Sequence, residues 1–134
     1  MVRIAFVCVE NAGRSQMAAA FARRAAVDGV RIVSGGTRAA SRVHPVVVEA
    51  MREVGIDLSE AVPRTLTKDE ILRSDVVVTM GCASGEVCPA TFRGDAVDWA
   101  LPDPSGRSLE EVRRIRDDIE RRVANLLREV THGR

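Results

Sequence analysis

The sequence predicts an α/β fold in which one parallel sheet is covered by helices on both faces. Short apolar runs rich in β-branched residues alternate along the chain with segments whose apolar residues recur at helical spacing, which is strand and helix in turn. One run, residues 75–80, is nearly all apolar, as expected of a strand buried on both faces. A length of 134 residues suits a single domain spanning 1–134, and no internal repeat, linker or low-complexity tract divides it. Crossovers between the parallel strands are expected to be right-handed.

Residues 2–8 (VRIAFVC) form the first strand, stopped by a polar, Gly-containing stretch at 10–15. From Ser15 to Val27, the residues Met17, Ala18, Phe21, Ala22 and Ala25 share one face of a helix, until Gly29 stops it. Residues 30–34 form a second strand closed by Gly35 and Gly36. Pro45 opens a second helix, marked by Val47, Met51 and Val54, which Gly55 ends. Thr67 with Glu70 makes a capping box for a short third helix through Leu72, and the strand at 75–80 follows. A weaker fourth strand lies near 96–99. Ser108 with Glu111 repeats the capping box, and Val112, Ile115, Ile119, Val123, Leu126 and Val130 draw the stripe of a long C-terminal helix. Arg113, Arg114, Arg121 and Arg122 lie off that stripe and read as a solvated face.

Composition narrows the function classes. Hydrophobic residues at 46% and charged residues at 29% are those of a soluble globular protein. The formal charge is +1, so no field of one sign attracts nucleic acid or an anionic membrane, and any attraction for an anion has to be local. The apolar run at 4–9 is too short to span a bilayer and no signal-peptide pattern frames it, so the expected location is the cytoplasm. The three cysteines, Cys8, Cys82 and Cys88, are too few and odd in number for a secreted disulfide framework, which directs attention to thiol chemistry.

In parallel sheets of this kind ligands bind beyond the carboxyl ends of the strands. The loops at 8–15 and 81–94 leave those ends, and all three cysteines lie in or beside them. Cys8 closes the first strand, and Arg14 and Ser15 open the first helix. The intervening Val9, Glu10, Asn11, Ala12 and Gly13 are expected to turn their N–H groups inward around an anion, with the helix N-terminus adding partial positive charge. Arg14 forks onto two oxygens of a tetrahedral dianion. Asn11 and Gly13 suit left-handed turns, and the same field favours the thiolate of Cys8, the form that attacks. Asp103, in a turn with Pro104, is a candidate donor of the proton that a leaving oxygen needs. The plainer alternative makes Cys8 a small buried hydrophobe at a strand end.

The segment CVENAGRSQMA at 8–18 resembles the active-site loop of the low-molecular-weight tyrosine phosphatases and of the arsenate reductases built on the same fold. Further similarity runs through SGGT (34–37), VHPVVVEAMREVGIDLS (43–59), SDVVVTMGC (74–82), WALPDPSG (99–106) and IRDDIERRV (115–123). The resemblance implies a four-stranded parallel sheet with flanking helices. It also implies Cys8 as nucleophile, Arg14 as oxyanion clamp, Ser15 as stabiliser of the thiolate and Asp103 as general acid.

Two activities share that machinery. The phosphatases of this family carry aromatic residues after their Asp-Pro, whereas Ser105 and Gly106 follow Pro104 here and the chain has no tyrosine; they also carry a second cysteine in the loop where this chain has Gly13. Cys82 and Cys88 flank a short polar loop at 83–87, with Gly81 and Gly85 as pivots, and a pair of thiols can pass on the two electrons that reduction of arsenate needs. Arsenate reduction is therefore the expectation, and phosphoester hydrolysis with Cys8, Arg14 and Asp103 the alternative. No bound cofactor is expected. The resemblance implies an external thiol reductant, thioredoxin or else mycothiol with mycoredoxin, and the spacing of Cys82 and Cys88 matches neither type fully. No metal is expected: a zinc site from the cysteines with His44 or His132 lacks paired C-x2-C spacing, and Gln16 to Ala20 supply no glutamate for the potassium ion that some of the reductases hold. His44, before Pro45 at a helix start, reads as structural.

Overall fold

The computed structural model describes residues 1–25, 28–80 and 92–132. The first apolar run forms strand β1 (Val2–Cys8), and its residues 4–8 are all buried. Buried backbone must find partners for its N–H and C=O groups, and β1 finds them on both sides. Strand β2 (Val30–Gly36) pairs with it in parallel from Val2 opposite Val30 to Cys8 opposite Gly36. Strand β3 (Val76–Thr79) does so from Ile4 opposite Val76 to Val7 opposite Thr79. Strand β4 (Asp95–Asp98) adds in parallel to β3, so the predicted four-stranded parallel sheet is present in the order β2-β1-β3-β4. β3 is buried throughout, while β4 is an exposed edge carrying Asp95 and Asp98, charges of the kind that discourage edge pairing.

Alternation along the strands sorts side chains onto two faces. Ile4, Phe6, Val76 and Val78 pack on helices α1 (Arg14–Ala25), α2 (Pro45–Arg52) and α4 (Leu109–His132) through residues such as Met17, Phe21, Val47, Met51, Val112 and Ile119. Ala5, Val7 and Val77 face the other way, onto Leu66 and onto Ile71 of the short helix α3 (Lys68–Leu72). Helices cover both faces as expected, though among the described residues the second face has only α3. No described helix is long and apolar enough to cross a membrane.

Boundaries differ from expectation where backbone geometry overrides pattern. β2 continues through Gly35 and Gly36 instead of stopping at Ser34. A Cβ on Gly36 would stand 2.4 Å from the Val9 carbonyl oxygen, so this glycine marks a close approach of two backbones and not a break. α2 stops at Arg52, short of Val54, because the Ile56 N–H returns to the Met51 carbonyl at 3.0 Å with Gly55 at a φ of 83°. The Thr67 capping box is complete: the Glu70 N–H donates to Thr67 Oγ1 and the Thr67 N–H to Glu70 Oε1, both at 3.1 Å. At Ser108 the Glu111 N–H donates to Oγ at 3.2 Å, but the Glu111 carboxylate takes the Ser108 hydroxyl and Arg107 in place of the Ser108 N–H.

Arg113 also departs from expectation, since it joins two helices. Its Nε and Nη2 fork onto Glu53, and the buried Arg116 donates from Nη1 to both Glu53 Oε1 and the Ala50 carbonyl at 2.8 Å. The hydrogen bond from Arg113, aided by Arg116 and opposed by desolvation, pulls the Glu53 carboxyl down from 4.5 to about 2. A carboxyl depressed on folding contributes stability that is present above its unfolded value and lost as pH falls through the folded one. Glu53→Gln should therefore lower the urea midpoint at pH 7, and its gap from the wild type should close between pH 4.5 and about 2. A gap independent of pH in that interval would show that Glu53 acts by packing and not by charge.

Candidate active site

Five residues separate the end of β1 at Cys8 from the start of α1 at Arg14. Every carbonyl from 8 to 13 is engaged from outside the turn. The Thr37 N–H donates to Cys8 O at 3.1 Å, Arg38 N–H to Val9 O at 2.8 Å, Ala40 N–H to Glu10 O at 2.9 Å and His44 N–H to Ala12 O at 2.9 Å. Gln16 Nε2 donates to Asn11 O at 3.1 Å and the Met17 N–H to Gly13 O at 3.0 Å. In a trans peptide the C=O and the next N–H point oppositely, so oxygens drawn outward send hydrogens inward. The N–H groups of Glu10, Ala12, Gly13 and Arg14 have no acceptor among the described residues. They converge at a helix N-terminus in the manner of backbone nests suited to an anion.

Cys8 Sγ lies at the floor of this nest, 3% exposed. The Asn11 N–H donates to it at 3.1 Å, and Ser15 Oγ lies 2.8 Å away. Asn11 Nδ2 donates to that same Ser15 Oγ at 2.7 Å, filling an acceptor site of the hydroxyl and leaving its proton for the sulfur. Asn11 holds the left-handed conformation, φ 53°, that was expected of it. Its carboxamide is fixed by Ser34 Oγ, by Gln16 Nε2 at 3.0 Å and by the Arg64 N–H at 3.0 Å. Asn11 and Ser15 thus direct their side chains to each other and the sulfur, while the cavity is lined by Val9, Glu10, Ala12, Gly13 and Arg14.

Arg14 is buried, and its Nη1 donates to the Leu101 carbonyl at 2.9 Å. That bond fixes the guanidinium plane and leaves Nη2 toward Asp103, whose Oδ2 is 3.9 Å away. The Asp103 side chain is about half exposed at the mouth of the cavity. Its turn is held by the Ser105 N–H on Oδ1 at 3.0 Å and by Arg107 Nε on its carbonyl at 2.8 Å. The structure brings Cys8, Arg14, Ser15 and Asp103 together. Cys82 and Cys88, with the loop at 83–87, lie outside the described residues. The last described residue before them is Met80, whose N–H donates to the Val7 carbonyl at 2.8 Å, next to Cys8.

Sequence reasoning missed the loop at 37–44, which supplies four of the six donors that turn the carbonyls outward and adds Arg38 and His44 to the wall of a cavity of about 500 Å³. The signal available was topological: β2 runs parallel to β1, so its loop leaves the same edge of the sheet. His44 keeps the structural role read from Pro45, preceding α2 and donating its N–H to Ala12, but it also lines the cavity above Cys8.

Residues 3–134 match the family described as low molecular weight phosphotyrosine protein phosphatase. A Halobacterium salinarum protein with a provisional arsenate reductase name is 52% identical over 132 residues, 95% of this chain and 92% of that one. A Synechocystis glutaredoxin arsenate reductase is 35% identical over 98% of this chain and 100% of its own. Among solved structures, the thioredoxin-dependent arsenate reductase of Corynebacterium glutamicum superposes with a TM-score of 0.83 at 36% identity, over all of this chain and 64% of that one. By its sequence, its sheet order and the nest around Cys8, this chain belongs to the low molecular weight phosphotyrosine protein phosphatase family.

Proposed function

We propose that the protein reduces arsenate to arsenite in the cytoplasm, the whole chain acting as one domain with Cys8 as nucleophile. The observation that carries this reading is the nest itself: N–H groups with no acceptor among the described residues and a fixed guanidinium surround the sulfur, an arrangement suited to a tetrahedral dianion and to the charge that builds on it during attack. The arsenate reductase names of the relatives favour arsenate as that dianion. Cys8 Sγ forms a bond to arsenic while one As–O bond breaks, and the oxygen leaves as water with a proton from Asp103. Cys82 then attacks Cys8 Sγ; a disulfide forms, the S–As electron pair stays on arsenic, and arsenite leaves. Cys88 next attacks Cys82, which frees Cys8 and carries the disulfide onward. The hydrogen bond that seats Met80 beside Cys8 supports this order, since Cys82 follows two residues later in the chain.

The two electrons return from an external thiol. The glutaredoxin and thioredoxin in the names of the Synechocystis and Corynebacterium proteins favour a protein dithiol of that class, with mycothiol and mycoredoxin as the other donor to supply. The second reading, phosphoester hydrolysis, is favoured by the family's description and by the fact that it needs only Cys8, Arg14 and Asp103. The absence of an aromatic residue after Pro104 disfavours aryl substrates.

Arg14→Lys should weaken phosphate binding by about tenfold or more, because an ammonium cannot hold the Leu101 carbonyl and fork onto two oxygens together. Unchanged inhibition by phosphate would mean that the main chain alone holds the anion. Cys82→Ser and Cys88→Ser should each stop turnover with thioredoxin while sparing slow para-nitrophenyl phosphate hydrolysis. They should also differ: Cys88→Ser still releases its first arsenite and leaves a Cys8–Cys82 disulfide in peptide maps, whereas Cys82→Ser stalls before release. Normal turnover of both variants with thioredoxin would remove the relay.

A further inference from the structure

Gly13 was expected to serve a left-handed turn, but among the described residues positive φ angles fall at Asn11, Gly29, Gly55 and Gly106. The backbone at Gly13 is therefore one that any residue adopts, and the reason for a glycine must lie in space. A Cβ built there would stand 2.7 Å from Pro104 Cγ and 3.5 Å from Pro104 Cδ, with the His44 ring next at 3.6 Å. Real Cβ atoms essentially never approach a heavy atom within 3.0 Å, so one of the two partners would have to move. The obstacle is not the far end of a flexible chain: the pyrrolidine ring is closed on its own backbone, so beyond a change of pucker at Cγ it yields only by moving the peptide of Asp103.

We propose that Gly13 is a positioning residue, whose bare Cα face is the seat on which Pro104 rests so that Asp103 stands over the anion nest. The turn that carries Asp103 is internally tied, by the Ser105 N–H on its carboxylate and by Arg107 on its carbonyl, so it moves as a unit when Pro104 is displaced. The chain just ahead of the turn is tied to Arg14 by the Leu101 carbonyl at 2.9 Å, two residues short of Asp103, and the approach of Asp103 itself to Arg14 at 3.9 Å is too long and too exposed to fix the carboxyl. The seat thus sets how far the carboxyl stands from the oxygen that leaves. Gly13 touches neither proton nor oxygen with a side chain; it acts through Pro104 on Asp103, and the proposal rests on the reading of Asp103 as general acid.

The test is a double-mutant cycle with Asp103→Asn as reference, reading the rate of first arsenite release and, separately, competitive inhibition by inorganic phosphate. Gly13→Ala should slow first release by about tenfold or more, since displacement of a catalytic group by a fraction of an ångström to an ångström costs up to about a hundredfold. Phosphate inhibition should weaken far less than the rate, and an equal loss in both would show that the loop moved in place of Pro104 and would overturn the seat. Pro104→Ala removes both the ring that the new methyl strikes and the seat itself, so it should be slow on its own, and adding Gly13→Ala to it should cost nothing further. Circular dichroism and thermal unfolding verify that each variant is folded. If Gly13→Ala runs at the wild-type rate, or if it slows Pro104→Ala as much as it slows the wild type, the seat is wrong while Asp103 stands. If Asp103→Asn itself releases arsenite at the wild-type rate, the acid assignment falls and takes the seat with it.

Discussion

The constraint on which the site depends is the outward direction of six consecutive carbonyls, from Cys8 to Gly13. A five-residue turn between a buried strand and a helix has to satisfy its oxygens somewhere, and here the donors come from the loop after β2 and the first turn of α1. Once those oxygens are fixed, planarity of the peptide fixes the N–H groups, and a nest suited to an anion follows without a lysine. With a net charge of +1, any attraction for an anion has to be local, and the dipoles of the nest with one guanidinium are what the loop offers. Gly36 is part of the same constraint, since a side chain there would strike the Val9 carbonyl and push the two backbones apart.

The rest of the fold supplies rigidity. Asn11 is held by Ser15, Ser34, Gln16 and the Arg64 main chain, so the residue that aims its N–H at the sulfur is fixed by groups from α1, β2 and the segment before α3. On the opposite rim, Trp99 is buried against Phe6 with ring centroids 6.0 Å apart, and Arg122 of α4 lies over its indole. That anchor carries the chain to Leu101, whose carbonyl sets the plane of Arg14, and on to Asp103. Groups so placed before a substrate arrives need little reorganisation when charge develops, which is the physical content of electrostatic catalysis.

Much of this was legible in the sequence because it is written in side chains. The strand ending in Cys8, the helix opening with Arg14, the apolar stripe of α4 and the capping box at Thr67 each follow from residue type and spacing. What could not be read is written in the main chain. Thr37, Arg38, Ala40 and His44 hold the nest through their N–H groups, and any non-proline residue has one, so no residue type announces the role. Glycines were misread for the same reason: Gly36 and Gly13 look like breakers or left-handed turns, yet both mark contacts with atoms far away in sequence. Gln16 sits in the first turn of a helix as an ordinary polar residue, and only the fold shows it bonded to both oxygens of Asn11.

The central claim, that Cys8 in this nest attacks arsenate and that the chain's own thiols then reduce it, is tested most directly by stoichiometry. Fully reduced protein is mixed with arsenate in the absence of any external thiol, and arsenite and protein disulfide are counted. One disulfide carries two electrons, so the prediction is about one arsenite and about one disulfide per chain, and none of either from Cys8→Ser. Hydrolysis of para-nitrophenyl phosphate by the same sample with no arsenite formed would contradict it.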